Sequence, residues 1–500
     1  MDPILLALQL IFEPYVLLVI LLSAMFGLFM GAVPGLTATM ATALLVPVTF
    51  FMPPVPSLAA IVTATAMAIF AGDIPSTLLR IPGTPASAAY TDEAYAMTRK
   101  GEAELALGIC LTTSILGGLF GAVILSFSAP MLAEIALKFS GYEYFWLGLL
   151  GLTCAAFIST DQPVKGLLSL LIGLLLACVG IDPTTGHPRF AFGSVELLGG
   201  IGLIPAMIGM FAMTEVFRSV TVLQAPPKMD QRAIGNIFKG VGAVLLRYKT
   251  NLFRGNVIGV IIGALPGAGA DIAAWISYAT ARKFSKEPEK FGTGHAEGLV
   301  DAGAANNSAL AGAWVPALVF GIPGDSITAI VIGVLYVKGM NPGPTVFLSQ
   351  PELIYAVFIS FFLANLLLLP LGYAAIKSAK QILRVPRDVL MPIILLFCVV
   401  GTFAINNTVF DVGVMLCLGL LAYVMEENGI PIAPAILGLV LGPLVEESFM
   451  TSMIKANGNL LMFFARPISA VLGVVVILIW SWPLIRWAMR HSQRMRTSER

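Results

Sequence analysis

Long apolar runs separated by short polar segments constrain this chain more than any other feature of its sequence. A membrane-spanning helix needs about 20 apolar residues. Candidate spans of this kind lie at residues 5–30, 58–79, 104–127, 143–160, 165–180, 197–216, 254–280, 351–376, 388–404, 411–425 and 466–486. Shorter apolar pieces, interrupted by proline and glycine, lie near 36–52, 303–320, 325–338 and 430–445. We therefore expect an all-α polytopic membrane protein with about 11 to 15 membrane segments.

The scarcity of charged residues supports this prediction. They make up 11% of the chain, hydrophobic residues make up 58%, and the mean hydropathy is +0.90. A soluble domain carries about 25% charged residues, so most of this surface must face a lipid bilayer. The net charge of +1 argues against a nucleic-acid partner, which would need a concentrated basic face. The sequence has no phosphate-binding or catalytic motif, and we expect neither an enzyme nor an ATP-driven pump.

Two groups of polar residues are expected to have no role in function. The cysteines lie in apolar runs without the spacing of metal ligands, so they are interpreted as small buried residues. They are Cys110, Cys154, Cys178, Cys398 and Cys417. The glutamate pairs 426–427 and 446–447 lie at the ends of spans, and we expect them to be solvated.

The distribution of lysine and arginine predicts the orientation of the chain, because basic loops stay in the cytoplasm. The central loop is cytoplasmic on this rule, since its basic residues Arg218, Lys228, Arg232, Lys239, Arg247, Lys249 and Arg254 face one acid, Asp230. The C-terminal tail after residue 485 and the stretch 377–387 are basic too. The first ten residues have no lysine or arginine, which predicts a periplasmic N-terminus. We divide the chain into a membrane repeat (1–216), a basic loop (217–253) and a second membrane repeat (254–500).

Two motifs occur twice, in the same order, which indicates an internal repeat. Residues 31–41 read GAVPGLTATMA and residues 263–273 read GALPGAGADIA, at an offset of 232. Residues 75–83 read PSTLLRIPG and residues 316–324 read PALVFGIPG, at an offset of 241. The helix before Gly31 starts outside and the helix before Gly263 starts from the cytoplasmic loop. This predicts two inverted-topology repeats with broken helices or re-entrant hairpins, as in alternating-access secondary transporters, which bind substrate near the midplane.

The repeated Pro-Gly breaks predict a binding site, because proline and glycine interrupt a helix and free backbone groups. Freed N–H groups at the start of a half-helix bind anions, and freed carbonyls bind Na⁺. The candidate substrate-binding residues of the first copy are Pro34, Gly35, Leu36, Thr37, Thr39, Pro82, Gly83 and Thr84. Those of the second copy are Pro266, Gly267, Ala268, Gly269, Asn306, Asn307, Pro323, Gly324, Asp325 and Ser326.

Acidic residues within apolar segments are a further signal, since a charge at the bilayer centre costs about 2.5–3.5 kcal/mol on insertion scales. They are Asp73, Asp271, Asp301 and Asp325. We expect a Na⁺ site near Thr37, Asp271, Asn306 and Asp325. Asp73 has an alternative role as the structural salt-bridge partner of Arg80.

Four stretches resemble the large membrane subunit of tripartite tricarboxylate transporters. They are GAVPGLTATMATALLVPVTF, DAGAANNSALAGAWVPALVFGIPG, GMNPGP and GIPIAPAILGLVLGPLVEES. The resemblance covers nearly the whole chain and implies a permease of the bacterial inner membrane. It further implies a small membrane subunit of about four spans, a periplasmic solute-binding protein, and uptake of di- and tricarboxylates coupled to Na⁺ or H⁺. Asp325 departs from the family pattern, in which many members have a small uncharged residue there.

Two other functions remain open from the sequence. The chain could act as a stand-alone secondary transporter of organic anions, without a binding protein, or as a channel. A membrane scaffold is the third class, and it would leave the repeated helix breaks without an explanation.

Overall fold

The structure, a computed structural model, describes residues 2–158, 162–182, 185–221, 235–384 and 387–481. These residues fold almost entirely into helices. The helices of the first half are α1 (Pro3–Ile11), α2 (Pro14–Ala32), α3 (Ala38–Phe50), α4 (Pro54–Ala71), α5 (Asp73–Leu79), α6 (Thr91–Arg99), α7 (Ala103–Ala136), α8 (Gly141–Ile158), α9 (Pro163–Ala177), α10 (Leu203–Met207) and α11 (Thr214–Thr221). A π-helical segment, Ile208–Met213, joins α10 to α11.

The second half is also helical. Its helices are α12 (Val241–Arg247), α13 (Lys249–Gly263), α14 (Gly269–Phe284), α15 (Ala296–Phe320), α16 (Ser326–Val337), α17 (Val346–Ser349), α18 (Pro351–Lys377), α19 (Ala379–Ile382), α20 (Arg387–Asn406), α21 (Val409–Glu427), α22 (Ala433–Lys455) and α23 (Pro467–Ser481). Short 3₁₀ helices occupy Ser87–Ala89, Glu196–Gly199, Pro288–Lys290 and Leu460–Phe464. Two antiparallel strands, β1 (Gly180–Ile181) and β2 (Pro188–Arg189), pair between α9 and α10.

The prediction of an all-α polytopic membrane protein is confirmed. Within the described residues, eight helices are long and apolar enough to cross a membrane. They are Pro14–Ala32, Pro54–Leu79, Ala103–Ala136, Leu203–Val220, Pro351–Lys377, Val389–Asn406, Val409–Glu427 and Ala433–Lys455. Four shorter apolar helices are Ala38–Phe50, Pro163–Ala177, Ser326–Val337 and Pro467–Ser481. The full count of 11 to 15 segments stays a prediction.

Three predicted spans have different bounds in the structure. The run 5–30 is broken, because Pro14 begins α2 and the preceding Glu13 is extended, with ψ 137°, as proline favours. The run 254–280 is broken between α13 and α14 at Pro266-Gly267. The run 197–216 becomes helical only at Leu203, after the 3₁₀ turn that ends near Gly200. The basic residues of 222–234, residues 482–486 and the C-terminal tail lie outside the described residues.

Glycine contacts hold α2 against α4 in the first copy of the repeat. A Cβ atom on Gly27 would overlap the carbonyl oxygen of Ala64, and one on Gly31 would overlap that of Ala68. The backbones therefore touch, as is common where small residues line a membrane-helix interface. Since the contacts advance together along both helices, α2 and α4 run parallel, with α3 between them in the sequence.

The same contacts hold α13 against α15 in the second copy. A Cβ atom on Gly259 would lie 2.5 Å from the carbonyl oxygen of Ala305, and one on Gly263 would overlap that of Ala309. These positions are related to the first-copy pairs by the offsets of 232 and 241 residues. The two copies thus share their packing as well as their motifs.

Helix α7 fixes the direction of α15. A Cβ atom on Gly117 would overlap the carbonyl oxygen of Ala304, and one on Gly121 would lie 2.8 Å from the Cβ of Ala311. The two helices therefore run parallel. The first half of the chain thus packs directly on the second through α7 and α15.

The contacts of α18 show how the directions of α7 and α15 compare with that of α4. Helix α18 runs antiparallel to α7, because Asn365 meets Gly118 and the later Gly372 meets the earlier Leu111. It runs parallel to α4, because a Cβ atom on Gly372 would also lie 3.1 Å from the ring of Phe70, near the end of α4. The start of α4 and the start of α18 share one buried cluster. Helices α4 and α15, which correspond in the repeat, therefore run in opposite directions.

Candidate functional site

The breaks in both copies of the repeat meet at one cavity of about 820 Å³, here called the central cavity. Ten of the residues singled out in the sequence line it. They are Gly35, Thr37, Thr39, Thr84, Gly267, Ala268, Asp271, Asn306, Asp325 and Ser326. The other nine are not among its lining residues; they are Pro34, Leu36, Pro82, Gly83, Pro266, Gly269, Asn307, Pro323 and Gly324. The sequence pattern therefore located the cavity, although the role of each residue as a ligand stays a prediction.

The first Pro-Gly break ends α2 and starts α3. Gly35 has a φ of 88°, which a residue with a side chain rarely adopts. Thr37 caps the next helix, since its hydroxyl accepts a hydrogen bond from the Met40 N–H at 3.1 Å. Leu36 points the other way and is fully buried in the apolar core. The break thus brings the first turn of α3 to the cavity.

The second Pro-Gly break does the same between α13 and α14. Gly267 has a φ of 79°, and a Cβ atom there would lie 2.6 Å from the Cα of Ala155 on α8. Asp271 in the first turn of α14 lines the cavity. Its Oδ1 accepts a hydrogen bond from the Ala86 N–H at 3.1 Å, which ties α14 to the loop of the first copy.

The two I-P-G loops have matching conformations. The helix before each loop ends in a left-handed residue, Arg80 with φ 59° and Gly321 with φ 68°. In each loop the capping N–H donates to the carbonyl of a proline five residues earlier, Pro75 or Pro316. The repeated proline therefore marks the same helix ending in both copies.

A reciprocal pair of hydrogen bonds closes each I-P-G loop. In the second copy, the Asp325 carboxylate accepts from the Thr328 N–H at 2.8 Å, and the Thr328 hydroxyl accepts from the Asp325 N–H at 2.9 Å. In the first copy, Thr84 and Ser87 exchange the corresponding bonds, each at 3.1 Å. Asp325 is thus a helix-capping residue as well as a cavity-lining acid.

Of the helices that begin at the central cavity, three directly follow repeated motifs. Residues of the first turns of α3, α14 and α16 line it, and each helix has at least 12 residues. The N-terminal end of a helix carries a partial positive charge and unpaired N–H groups. One helix comes from the first copy and two come from the second, so the cavity is assembled between them.

The charged side chains on the cavity wall are mostly acidic. Asp271 and Asp325 come from the repeat motifs, and Glu215 and Glu426 come from the ends of α11 and α21. Among the described residues that line the cavity, Arg218 is the cation. The fixed charge of this wall is therefore negative.

Sequence reasoning missed the acid–base cluster of this wall. Arg218 donates to Glu215 at 3.0 Å and forms an ion pair with Glu426 across the sequence. Arg218 was counted with the basic loop but lies in α11, which continues the helix that began at Leu203. Glu426 is at the end of α21 as expected, but it is ion-paired and not simply solvated. The cytoplasmic side of the loop stays a prediction. The spacing of Glu215 and Arg218 by three helical residues was the available signal.

The two adjacent asparagines of α15 face different neighbours. The Asn306 Nδ2 donates to the Tyr90 hydroxyl at 3.0 Å, and Asn306 also lines the cavity. The Asn307 Nδ2 donates to the Ser114 carbonyl of α7 at 3.1 Å. Asn306 therefore lies at the wall and Asn307 lies within the helix packing.

The expected salt bridge between Asp73 and Arg80 is wrong. Arg80 pairs instead with Asp92 at 2.9 Å, and both side chains are exposed. Asp73 is fully buried and accepts a hydrogen bond from the Tyr90 hydroxyl at 2.6 Å. The left-handed Arg80 ends α5 and turns its side chain away from the core.

Asp301, unlike Asp73, forms an ion pair with an arginine. It is fully buried, and the Arg254 Nε donates to it at 2.9 Å. Ser277 and Asn251 donate to the same carboxylate. This arrangement satisfies a buried charge and needs no ligand.

Two further expectations are corrected outside the cavity. Glu446 forms an ion pair with Arg189 of β2 at 2.5 Å, so it is not simply solvated. Of the five cysteines, three are buried, but Cys178 is half-buried and Cys417 is exposed on α21. No cluster of metal-ligating side chains occurs in the part of the chain that the structure describes.

A polytopic helical protein whose cavity is assembled from the broken helices of two related halves has the architecture of a membrane transport protein. A family model described as the tripartite tricarboxylate transporter TctA family matches residues 17–437. The chain belongs to this family, the large membrane subunits of tripartite tricarboxylate transporters. The resemblance seen in the sequence is confirmed.

Two relatives come from Agrobacterium vitis. The chain is 35% identical over 463 residues to an uncharacterized 52.8 kDa protein in the TAR-I ttuC' 3' region, and the match covers 92% of each chain. It is 37% identical over 231 residues to an uncharacterized protein in the TAR-II ttuC' 3' region, covering 46% of this chain and 96% of the relative. No solved structure matches the chain.

Proposed function

We propose that this chain is the permease subunit of a binding-protein-dependent secondary transporter. It imports small organic acids, namely di- and tricarboxylates, by symport with Na⁺ or H⁺ and by alternating access. It works in the bacterial inner membrane with a small membrane subunit and a periplasmic solute-binding protein. Its N-terminus is periplasmic and its C-terminus is cytoplasmic.

The convergence of three helix N-terminal ends on the central cavity carries this proposal. An anion there would accept hydrogen bonds from the N–H groups of the first turns, as anions do at other helix starts. The wall residues Thr37, Thr39 and Ser326 add hydroxyl donors. A di- or tricarboxylate has several oxygens that could engage ends from both copies at once. The opposite directions of α4 and α15 support an inverted repeat, which alternating access uses.

The acidic wall supports coupling to a cation. A carboxylate of the substrate about 4 Å from Asp271 or Asp325 would be repelled by roughly 4 kcal/mol at an effective dielectric constant of 20. A co-bound Na⁺ or a proton on one of these acids removes that repulsion. Thr37, Asp271, Asn306 and Asp325 are the wall residues that we propose for this cation.

Reconstitution tests the proposal. The chain, its small membrane partner and the binding protein are placed in proteoliposomes, and uptake of labelled citrate and other di- and tricarboxylates is measured with a Na⁺ gradient, a pH gradient or neither. We expect saturable uptake that needs a gradient and the binding protein. Screening organic acids against the binding protein identifies the substrate.

The same experiment separates the other functions. Uptake without the binding protein and the small subunit would show a stand-alone secondary transporter. Flux without any gradient that saturates poorly would show a channel. Normal uptake by both Asn307→Ala and Gly267→Val would contradict the proposed site, and loss of the variants from the membrane would show a packing role instead.

A further inference from the structure

A group of buried oxygen atoms without nitrogen or oxygen partners lies behind the cavity wall at Asn306. Each side chain in the group is at most 2% exposed. The atoms are Asp73 Oδ2, Thr77 Oγ1, Ser114 Oγ, Asn306 Oδ1 and Asn307 Oδ1. Asp73 and Thr77 are four residues apart on α5, Asn306 and Asn307 are adjacent on α15, and Asn307 donates to the Ser114 carbonyl. Buried polar atoms are nearly always satisfied, so these connected unsatisfied oxygens require an explanation such as an ion.

Tyr90 holds two of these side chains together. Its hydroxyl donates to Asp73 Oδ1 at 2.6 Å and accepts from Asn306 Nδ2 at 3.0 Å. Because the single Tyr90 proton goes to Asp73, the Asn306 group that faces Tyr90 must be the N–H donor. The Asn306 carbonyl oxygen is then left for another partner. Asn306 thus joins the buried group to the central cavity.

Asp73 has no counter-charge. No lysine, arginine or histidine of the described residues forms an ion pair with it, and Arg80 belongs to Asp92. Besides Tyr90, the titratable group that faces it is the Cys110 thiol of α7, which is a weak donor. Asp301 is equally buried but pairs with Arg254. A buried carboxylate without such a partner must be neutralised by a bound proton or cation.

We propose that Asp73, Asn306 and the adjacent oxygens of Thr77, Ser114 and Asn307 form a Na⁺ site. The donor set consists of oxygens alone, which hard cations prefer. One carboxylate balances a monovalent ion, whereas a divalent ion would leave a buried positive charge. A proton would satisfy Asp73 and leave the amide oxygens of Asn306 and Asn307 without partners, so Na⁺ accounts for more of the group.

This site deepens the proposed function, on which its role as a coupling site rests. It lies behind the wall, apart from Asp271 and Asp325, and shares Asn306 with the cavity. A Na⁺ ion held by the Asn306 carbonyl would fix the orientation of a residue that lines the cavity. Occupation of the buried site would in this way prepare the wall for the substrate.

The test measures thermal unfolding of the purified full chain in lipid nanodiscs without substrate. NaCl is titrated against choline chloride and KCl at constant ionic strength. We expect the wild-type midpoint to rise with Na⁺ and to saturate, since a ligand that binds the native state stabilises it. Asp73→Asn should abolish this response. In choline, Asp73→Asn should be at least as stable as the wild type, because the uncompensated charge is gone. Asp92→Asn, which removes an exposed acid, should keep the full response.

A second variant keeps the test decisive if Asp73→Asn does not fold. Tyr90→Phe removes the hydroxyl that links Asp73 to Asn306, and we expect the half-saturating Na⁺ concentration to rise by about tenfold or more, as loss of outer partners does at other metal sites. An unchanged Na⁺ response in either variant would overturn the site. A wild-type midpoint that follows pH and ignores Na⁺ would overturn it in favour of a proton.

The result of this Na⁺-binding test can be distinguished from the result of the uptake test of the proposed function. Na⁺ stabilisation that depends on Asp73 would support the site even if uptake proved independent of Na⁺, which would instead contradict the coupling. Na⁺-driven uptake that survives Asp73→Asn would overturn the site and leave the proposed transport intact.

Discussion

At the scale of single residues, the Asp325 side chain both carries a charge at the cavity wall and caps a helix. The sequence marked it as a departure from its family, an acid that would repel an anion or bind a cation. The structure adds that its carboxylate caps α16 through Thr328. Charge and hydrogen bonding are therefore combined in one residue, and substitution can separate them.

Asp325→Asn and Asp325→Ala should differ in stability. Asparagine caps a helix about as well as aspartate, whereas alanine loses the cap at a cost of about 0.5–2 kcal/mol. We expect the unfolding midpoint of Asp325→Asn to match the wild type and that of Asp325→Ala to fall. Both should raise the Na⁺ concentration needed for uptake, because both lose the charge. Equal midpoints for the two variants would refute the capping role, and unchanged uptake in Asp325→Asn would refute the role of the charge.

At the scale of helices, the breaks at the repeated motifs could be predicted because proline and glycine have local effects. Gly35 and Gly267 adopt the left-handed backbone that such a break requires. The break before Pro14 was missed, since hydropathy averages across it. The contacts between α2 and α4 also could not be foreseen, because glycine in a span reveals no partner until the helices are placed.

Alanine substitution tests these helix contacts. Gly31→Ala and Gly263→Ala each force a methyl group against a carbonyl oxygen, and overpacking of this kind costs about 1–3 kcal/mol. We expect both to lower the unfolding midpoint by similar amounts, as equivalent positions of a repeat. Gly413→Ala on α21 is the control, because a Cβ atom there meets nothing within 4 Å. If the unfolding midpoint of Gly413→Ala fell as much as those of Gly31→Ala and Gly263→Ala, the proposed glycine contacts would be contradicted.

At the scale of the whole molecule, the sequence did not predict the part of the cavity wall that is formed by residues far apart in the chain. The sequence predicted ten of the residues that line the cavity, since each copy carries its own residues there. Arg218 and Glu426 are 208 positions apart in the sequence, and neither belongs to the repeat. Arg218 was placed in a loop from the sequence, because a count of basic residues does not show where a helix ends. Only the packing of α11 on α21 brings the pair to the cavity.

Arg218 should contribute to binding of the anion. It is the cation among the described residues of the wall, and a hydrogen bond to a charged group contributes about 1.5–3 kcal/mol. We expect Arg218→Gln to raise the half-saturating substrate concentration by about ten- to hundredfold, and Arg218→Lys to raise it less. Lys286→Gln in the loop after α14 serves as the control, because it removes the same positive charge from an exposed position. If the half-saturating substrate concentration of Arg218→Gln were unchanged, the role of Arg218 would be only the ion pair that holds α11 to α21.

The glycine contacts between α2 and α4, and between α13 and α15, have a mechanical consequence. Two parallel helices whose backbones touch at two points one turn apart cannot slide or roll past each other without a clash. We therefore expect each pair to move as a unit and to bend most easily at the breaks that follow α2 and α13, at residues 33–37 and 264–268. Gly35, Thr37, Gly267 and Ala268 of these breaks line the central cavity. Bending there would change the shape of the cavity.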